Sequence, residues 1–295
     1  MNIFFIGVFS KSSTNYSQAI ILEKSGIKVY RYEYRYAAKL FGVKERDLQM
    51  IAQVKSLKPD LVLISKGSSI SGTAVRLMRE ICPVVLWFMD APIAGNWTIN
   101  LEEKIKEASI VFCEKPQAVR KAKAINPLSF QAIDGFDPFV DKPASYTGRV
   151  LQDVDVSFIG SSYGKRKLLV QEAGAQILKG YREEHAANVS RSKINLNFCT
   201  AETASNRIYK VMAAGGFLLT DDWEGRQFED KEDLVIFNGV KDMKEKIKYY
   251  LHHDDERAYI ASCGYIAVQK WNRFGWWNTI ATQLHYNNIL NSVSN

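Results

Sequence analysis

The sequence predicts an α/β protein with two doubly wound parallel sheets, one in each half of the chain. Three observations carry that expectation. Apolar runs of strand length alternate with helical stretches through the first 140 or so residues; the alternation starts afresh at Val154; and the stretch from Ser192 to Asp222 reads as strand, loop, helix, double glycine and strand. Strands separated by single helices run parallel, because each crossover returns the chain to the same end of the sheet.

In the first half, strands are expected at Ile3–Val8, Val29–Tyr32, Leu61–Ser65, Val84–Met89, Ile110–Cys113 and Ser129–Ala132. Unbroken apolar runs of this length suit strands covered on both faces. Helices are expected between them at Ser17–Ser25, Glu45–Leu57, Gly72–Ile81, Leu101–Glu107 and Gln117–Ala124. The stretch from Asp137 to Gly148, DPFVDKPASYTG, has two prolines and no period and reads as a linker.

The second half opens with strand VSFIG, a Ser-Ser-Tyr-Gly turn and a basic helix, Lys165–Glu172. A weak strand near Ala175–Leu178 and a helix over Tyr181–Ser192 follow. Then come strand Ile194–Phe198, a helix from about Ser205 to Ala214, and strand Phe217–Thr220. Gly215 and Gly216 fit the left-handed turn that ends a helix. Strand Leu234–Phe237 and helices Asp242–His252, Asp255–Trp271 and Trp276–Leu290 complete the chain, the last rich in aromatics.

Polar residues gather at the loop and helix start of the Ser192–Asp222 unit, the edge where open parallel sheets bind ligands. Asn206, Arg207 and Lys210 lie on the first helical turns, at the helix end that attracts anions. A phosphate-bearing ligand is the expectation; plain helix–strand packing with a solvated basic face is the alternative.

Composition excludes several classes. The chain has 295 residues, 46% apolar and 24% charged, the balance of a soluble globular protein. No apolar run approaches the ~20 residues that span a bilayer. MNIFFIGVF lacks the basic lead of a signal peptide and reads as a first strand. Cys82, Cys113, Cys199 and Cys263 are scattered among apolar neighbours and suggest a reducing, cytoplasmic setting with no disulfide framework and no metal. His185, His252, His253 and His285 form no ligand cluster. The first strand lacks the glycine spacing of a dinucleotide fingerprint, and no Walker-type loop is present, which counts against NAD enzymes and P-loop NTPases.

Charge is uneven. Residues 1–150 carry 21 Lys+Arg against 14 Asp+Glu, and residues 151–295 carry 18 against 18, so the whole net charge of +7 falls in the first half. Such asymmetry points to a partner of opposite sign: nucleic acid, an anionic glycan or a membrane surface.

Four pieces of the second half, VSFIGSSYGKRKLL, SRSKINLNF, NRIYKVMAAGGFLLTDD and KDMKEKIKYYLHHDDERAYIASCGYIAV, resemble in order and spacing the spore-maturation (CgeB-type) group of the GT-B glycosyltransferases. The first half matches more weakly, through LWFMDAP and AIDGFDPF. The resemblance implies two Rossmann-like domains facing one another across a cleft, and metal-independent sugar transfer from a nucleotide-diphosphate donor, UDP-linked, with no other cofactor. It divides the chain into an acceptor domain over 1–140, a donor domain over 150–275, and a C-terminal helix over 276–295 packing back towards the first domain.

Carried over by residue, Gly160, Ser161 and Ser162 match the turn that approaches the diphosphate, and Arg207 matches the arginine that pairs with it. Lys165 and Arg166 are expected to reach the same phosphates. Lys210 departs from the pattern: the family places a glutamate three residues after the arginine, where it can hold ribose hydroxyls, and lysine cannot accept a hydrogen bond. Glu202, from the preceding loop, is the candidate replacement. Asp221 is expected to touch the donor or, with Asp222, to cap the next turn. Asp90, ending strand LWFMD, is the candidate general base, with turn formation as its other reading. Asp134 and Asp137 read as structural.

For the acceptor, Arg31 and Arg35 in RYEYRYAAK, with Lys115, Arg120, Lys121 and Lys123 around one short helix, form a candidate grip on a polyanion or glycan. Basic residues interleaved with tyrosines can hold phosphates and stack on bases, so a DNA glycosyltransferase acting on hydroxymethylated bases is an alternative. The plainer reading puts Tyr30, Tyr32, Tyr34 and Tyr36 in alternation along a strand. A non-catalytic nucleotide-sugar binding module is the alternative of another class.

Overall fold

A computed structural model describes residues 1–144, 151–199 and 201–290 of the chain. Residues 145–148 of the expected linker and 291–295 of the expected C-terminal segment lie outside the described residues. The chain divides into two compact units, Met1–Asp134 with Arg273–Asn295, and Gly135–Asn272. Among the described residues no helix is long and apolar enough to cross a membrane.

The first unit contains β1 (Asn2–Gly7), α1 (Thr14–Lys24), β2 (Lys28–Glu33), α2 (Tyr34–Phe41), α3 (Val43–Leu57), β3 (Leu61–Ser65), α4 (Gly72–Arg79), β4 (Val84–Phe88), α5 (Ile99–Glu107), β5 (Ile110–Cys113), α6 (Pro116–Lys123) and β6 (Ser129–Gln131). Six parallel strands pair in the order β2-β1-β3-β4-β5-β6. Alternation along each strand feeds two cores. Phe4 and Ile6 of β1 join Met50, Val54, Val75, Met78 and Ile105 from α3, α4 and α5. Ile3 and Phe5 face the other way, with Ala19 and Leu22 of α1.

One expected feature is overturned. The tyrosines do not alternate along a single strand, because β2 ends at Glu33 and α2 begins at Tyr34. Ala37, Ala38, Lys39 and Leu40 favour helix. Tyr34 and Ala37, three residues apart, both turn into the core, while Tyr36 is 63% exposed.

The second unit contains β7 (Val154–Ile159), α7 (Lys165–Glu172), β8 (Gln176–Leu178), α8 (Glu183–Arg191), β9 (Ser192–Asn197), α9 (Asn206–Ala213), β10 (Leu218–Thr220), β11 (Val235–Ile236), α10 (Gly239–Leu251) and α11 (Asp254–Val268). Its five parallel strands are ordered β11-β10-β9-β7-β8, so the order reverses between β7 and β9. Phe158, Ile194, Leu196, Leu219 and Val235 pack with Val170 of α7, Met243 and Tyr250 of α10 and Ile260 of α11. Gly215, at φ +73°, turns the chain out of α9, and the Gly216 N–H closes the turn on the Val211 carbonyl at 3.0 Å.

The last helix, α12 (Arg273–Tyr286), belongs to the first unit. Trp276, Trp277, Ile280 and Leu284 complete the core that α1 covers only in part. At its first residue, Arg273 Nη2 meets Asp134 Oδ2 at 2.9 Å, with the side chains only 3% and 0% exposed. Arg273 Nη1 also donates to Ser17 Oγ at 2.8 Å, and Gln18 Nε2 donates to Asp134 Oδ1 at 2.8 Å. Breaking a buried pair from one side leaves an uncompensated charge. Arg273→Leu is therefore expected to cost about 3–5 kcal/mol of stability, read as a lower urea midpoint. A midpoint within error of the native one would show that water reaches Asp134.

Candidate functional site

The second unit carries a pocket of about 830 Å³ at the carboxyl end of β7 and β8. Its lining includes Gly160, Ser161, Ser162, Arg166, Arg207 and Lys210, together with Lys179, Arg182 and His185. Arg166, Lys179, Arg182, Arg207 and Lys210 make it cationic, and no carboxylate lines it. Three helices begin around it. The residues preceding them, Gly164 for α7, Arg182 for α8 and Ser205 for α9, provide no side-chain cap to the first N–H groups. Ser205 instead donates its hydroxyl to Asn197 Oδ1 at 2.7 Å. Helix N-termini add partial positive charge to the side-chain cations.

Arg207 is the most constrained of these groups. Its Nε donates to the Ile159 carbonyl at 2.7 Å and its Nη1 to Asn197 Oδ1 at 2.9 Å. The guanidinium carbon lies 4.4 Å from the centre of the Phe158 ring. Among the described residues Nη2 has no hydrogen-bond partner. Burial, and next the charge of Arg166, pull the Arg207 pKa down to about 10, so the group stays cationic at neutral pH. Arg166 flanks the same Phe158 ring at 5.7 Å and donates to the Phe198 carbonyl at 3.1 Å. Two guanidiniums held this close attract an anion that relieves their repulsion.

Gly160 makes the arrangement possible. It sits at φ +143°, and a Cβ there would stand 2.6 Å from Arg207 Nη2. The strand-to-turn step after β7 therefore needs glycine twice over, for its backbone angle and for the guanidinium above it.

Other expected donor residues fall elsewhere. Lys165 is exposed and does not line the pocket. Glu202, at φ +54°, is exposed outside the lining, and its carbonyl accepts the Glu224 N–H at 3.0 Å. Asp221 turns inward, where its Oδ1 accepts the Cys199 N–H at 2.7 Å. Burial pushes the Asp221 carboxyl up, partly offset by the bonds from Cys199. It braces the loop after β9. Asp222 caps the next turn, accepting the Trp223 N–H at 2.8 Å.

In the first unit, Asp90 lies just beyond β4 and pairs with Lys66, just beyond β3. The next strand contributes Glu114, which is buried against Lys115 at 2.8 Å. Burial raises the Glu114 pKa; Lys115 opposes the rise, and the negative charges of Asp134 and Asp90 add to it. Lys115, only 6% exposed, is thereby removed from the expected basic surface. Arg31 is held by both oxygens of Glu23 at 2.8 Å, and Arg35 donates to the Tyr34 hydroxyl at 3.1 Å. Arg120, Lys121 and Lys123 are exposed on α6. Because β2 and β6 are opposite edges of a six-stranded sheet, five spacings of about 4.8 Å, or roughly 24 Å, separate the edges that carry the two basic groups. They do not form one stripe.

Residues 145–282 match the family model described as glycosyl transferase-like. Among solved structures, sucrose-phosphate synthase (tll1590) from Thermosynechococcus elongatus superposes with a TM-score of 0.70 at 11% identity, covering 98% of this chain and 99% of that one. The lipopolysaccharide outer core galactosyltransferase WaaB gives 0.62 at 9% identity, covering 97% and 100%. The chain has the GT-B glycosyltransferase fold. The family match covers just under half of the chain and does not single out the spore-maturation group. A UDP-N-acetylglucosamine 2-epimerase also superposes, at 0.52 and 10% identity, covering 98% and 97%. Comparison with curated protein sequences gives no match.

The sequence did not point to several residues at these sites. Glu114 follows a buried strand directly, the same signal that singles out Asp90. Tyr163 and Tyr181, 67% and 69% exposed, also line the second unit's pocket; Tyr163 lies in the Ser-Ser-Tyr-Gly turn without a signal of its own, and Tyr181 carries no motif. His185 lines it too, at 7% exposure. Burial, then the charges of Lys210 and Arg207, pull its pKa down to about 3, so it stays neutral.

Two outcomes follow. Gly160→Ala should displace the Arg207 guanidinium and lower stability by about 1–3 kcal/mol, the range for a side chain forced into a sparsely populated backbone region. Thermal unfolding reads it, and an unchanged midpoint would mean the turn relaxes freely. For His185 the folded pKa lies below the unfolded value of about 6.5. Its contribution is therefore full above pH 6.5 and is lost as pH falls towards 3. Between pH 6.5 and 5, above most carboxyl titrations, His185→Phe should flatten the decline of unfolding free energy with pH.

Proposed function

We propose that this chain transfers a sugar from a nucleoside-diphosphate donor, UDP-linked, to an acceptor hydroxyl, and that the second unit's pocket holds the diphosphate without a metal ion. The observation that carries the reading is the pocket's charge: among the described residues, five cationic side chains, three helix starts whose N-cap residue gives no side-chain cap, and no carboxylate. Departure of a nucleoside diphosphate from an anomeric carbon leaves an oxocarbenium-like sugar and concentrates negative charge on the leaving phosphate. Donors fixed in advance around that phosphate lower the barrier, because they need no reorganisation as charge develops. Arg207 and Arg166 are assigned to the diphosphate, Ser161 and Ser162 to its approach, and Tyr163 and Tyr181 to the base, whose face suits an exposed phenol ring. Within the glycosyl transferase-like family we favour the spore-maturation type, on its four motif pieces.

Asp90 is assigned as general base, with Lys66 as the group that orients its carboxylate. For the acceptor we favour an anionic glycan met by Arg120, Lys121 and Lys123. Duplex DNA is the weaker alternative, since a phosphate backbone is tracked by a continuous basic stripe and here the basic residues divide between two sheet edges.

Arg207→Ala should weaken UDP binding by about 1.5–3 kcal/mol, the scale of a hydrogen bond to a charged group, measured by calorimetry. Unchanged affinity would remove Arg207 from the site. Incubation with UDP-sugars and a glycan panel separates the classes. Glycosylated product with free UDP supports transfer, an epimerised sugar supports the epimerase chemistry of one fold relative, and bound but intact donor supports a binding module.

A further inference from the structure

The pocket is lined by a polar side chain that the diphosphate assignment leaves without a role. His185, on the first turn of α8, is more than nine-tenths buried and lines the pocket beside Lys210. Its Nδ1 is out of contact with water and has no hydrogen-bond partner. Among the described residues Nε2 has no hydrogen-bond partner either. It is not shut off from solvent, so it is the nitrogen that a ligand in the pocket can reach. A buried polar group left unpaired is destabilising, because it has lost its bonds to water. Native structures tolerate such a group chiefly where a ligand or a water completes it.

The chemistry of the missing partner can be narrowed. A neutral imidazole offers one N–H and one lone pair. A phosphate oxygen can only accept, so it serves one tautomer; a hydroxyl both donates and accepts, so it serves either. Burial and the two neighbouring cations keep the ring neutral, which preserves the lone pair that an imidazolium would lack. Lys210, three residues beyond Arg207 on the same face of α9, can meet only acceptors. With the diphosphate on Arg207 and Arg166, the diol nearest the phosphate on the nucleoside side is that of the ribose. Tyr181, at the entry to α8, offers the next surface for the base.

We propose that His185 is the specificity residue for the ribose diol of the donor nucleotide, accepting a hydrogen bond from a 2′- or 3′-hydroxyl. The assignment rests on the nucleotide reading of the pocket. The hydroxyl contact falls to a neutral nitrogen in a site otherwise made of cations, and discrimination between ribose and deoxyribose falls to the same residue.

Calorimetric titration of the full chain with UDP, GDP and ADP, each against its 2′,3′-dideoxy form, tests the proposal. The native protein should prefer the ribose form of the best-bound nucleotide by about tenfold. His185→Phe, similar in size with no acceptor, should bind both forms with the affinity the native protein has for the dideoxy form. His185→Gln, which restores an acceptor, should recover part of the preference and guards against a misfolded phenylalanine variant. Three results would overturn the assignment: no preference in the native protein, a preference intact in His185→Phe, or an equal loss of both forms, which would mean a phosphate contact. Failure of every nucleotide to bind the native protein would instead remove the nucleotide reading, and this inference with it.

Discussion

One guanidinium sets the geometry on which the second unit's site depends. Arg207 is fixed by the Ile159 carbonyl, Asn197 and the Phe158 ring, so a single residue of α9 ties together the ends of β7 and β9. These are the two strands between which the sheet order reverses. Its remaining N–H groups are aimed rather than mobile, and rigid donors stabilise developing charge better than flexible ones. Burial costs the cation part of its hydration, seen in its lowered pKa. An anion beside the guanidinium would return that stabilisation.

Much of this was legible in the sequence because it rests on local rules. Double glycine after a helix, a four-residue apolar run and polar residues at a helix start each have a short-range cause, and Gly215 adopts the expected left-handed angle. The runs IFFI, LVLIS, VVLWF and IVFC all became central strands, since a strand covered on both faces admits little else. Departures came where tertiary packing decided. The alternating tyrosines looked like strand, yet Tyr34 and Ala37 are inward together only on a helix. Glu202 and Lys165 were placed at the ligand by proximity along the chain, and the fold turns both to solvent. His185 had no motif at all. It is brought beside Lys210 by the packing of α8 on α9, which no spacing within the sequence encodes.

Charge distribution shows the same limit. The excess of +7 in residues 1–150 is a property of the sequence, but whether it makes one surface depends on sheet order. Lys115 is neutralised in the interior by Glu114, Arg31 is held by Glu23, and β2 and β6 stand at opposite edges. Of the residues expected to grip a polyanion, and setting aside the paired Arg31 and Lys115, Arg35 on α2 and the short run on α6 stay exposed, towards opposite edges of the sheet. Counting charges identifies a candidate class of partner; the order of strands decides which charges can act together.

The return of α12 to the first unit has a consequence for how the protein is made. The backbone passes between units twice, at residues 134–135 and 272–273, and the passages run side by side, with the Phe136 N–H donating to the Trp271 carbonyl at 3.2 Å. Trp276, Ile280, Leu284 and the partner of buried Asp134 all arrive on the last segment. During synthesis, an almost complete six-stranded sheet must therefore wait, with one apolar face only partly covered by α1, while the whole second unit is translated. At about 5–20 residues per second that interval is on the order of ten seconds. The first unit is begun first and finished last, and its exposed face during that wait is where a nascent-chain chaperone would be needed.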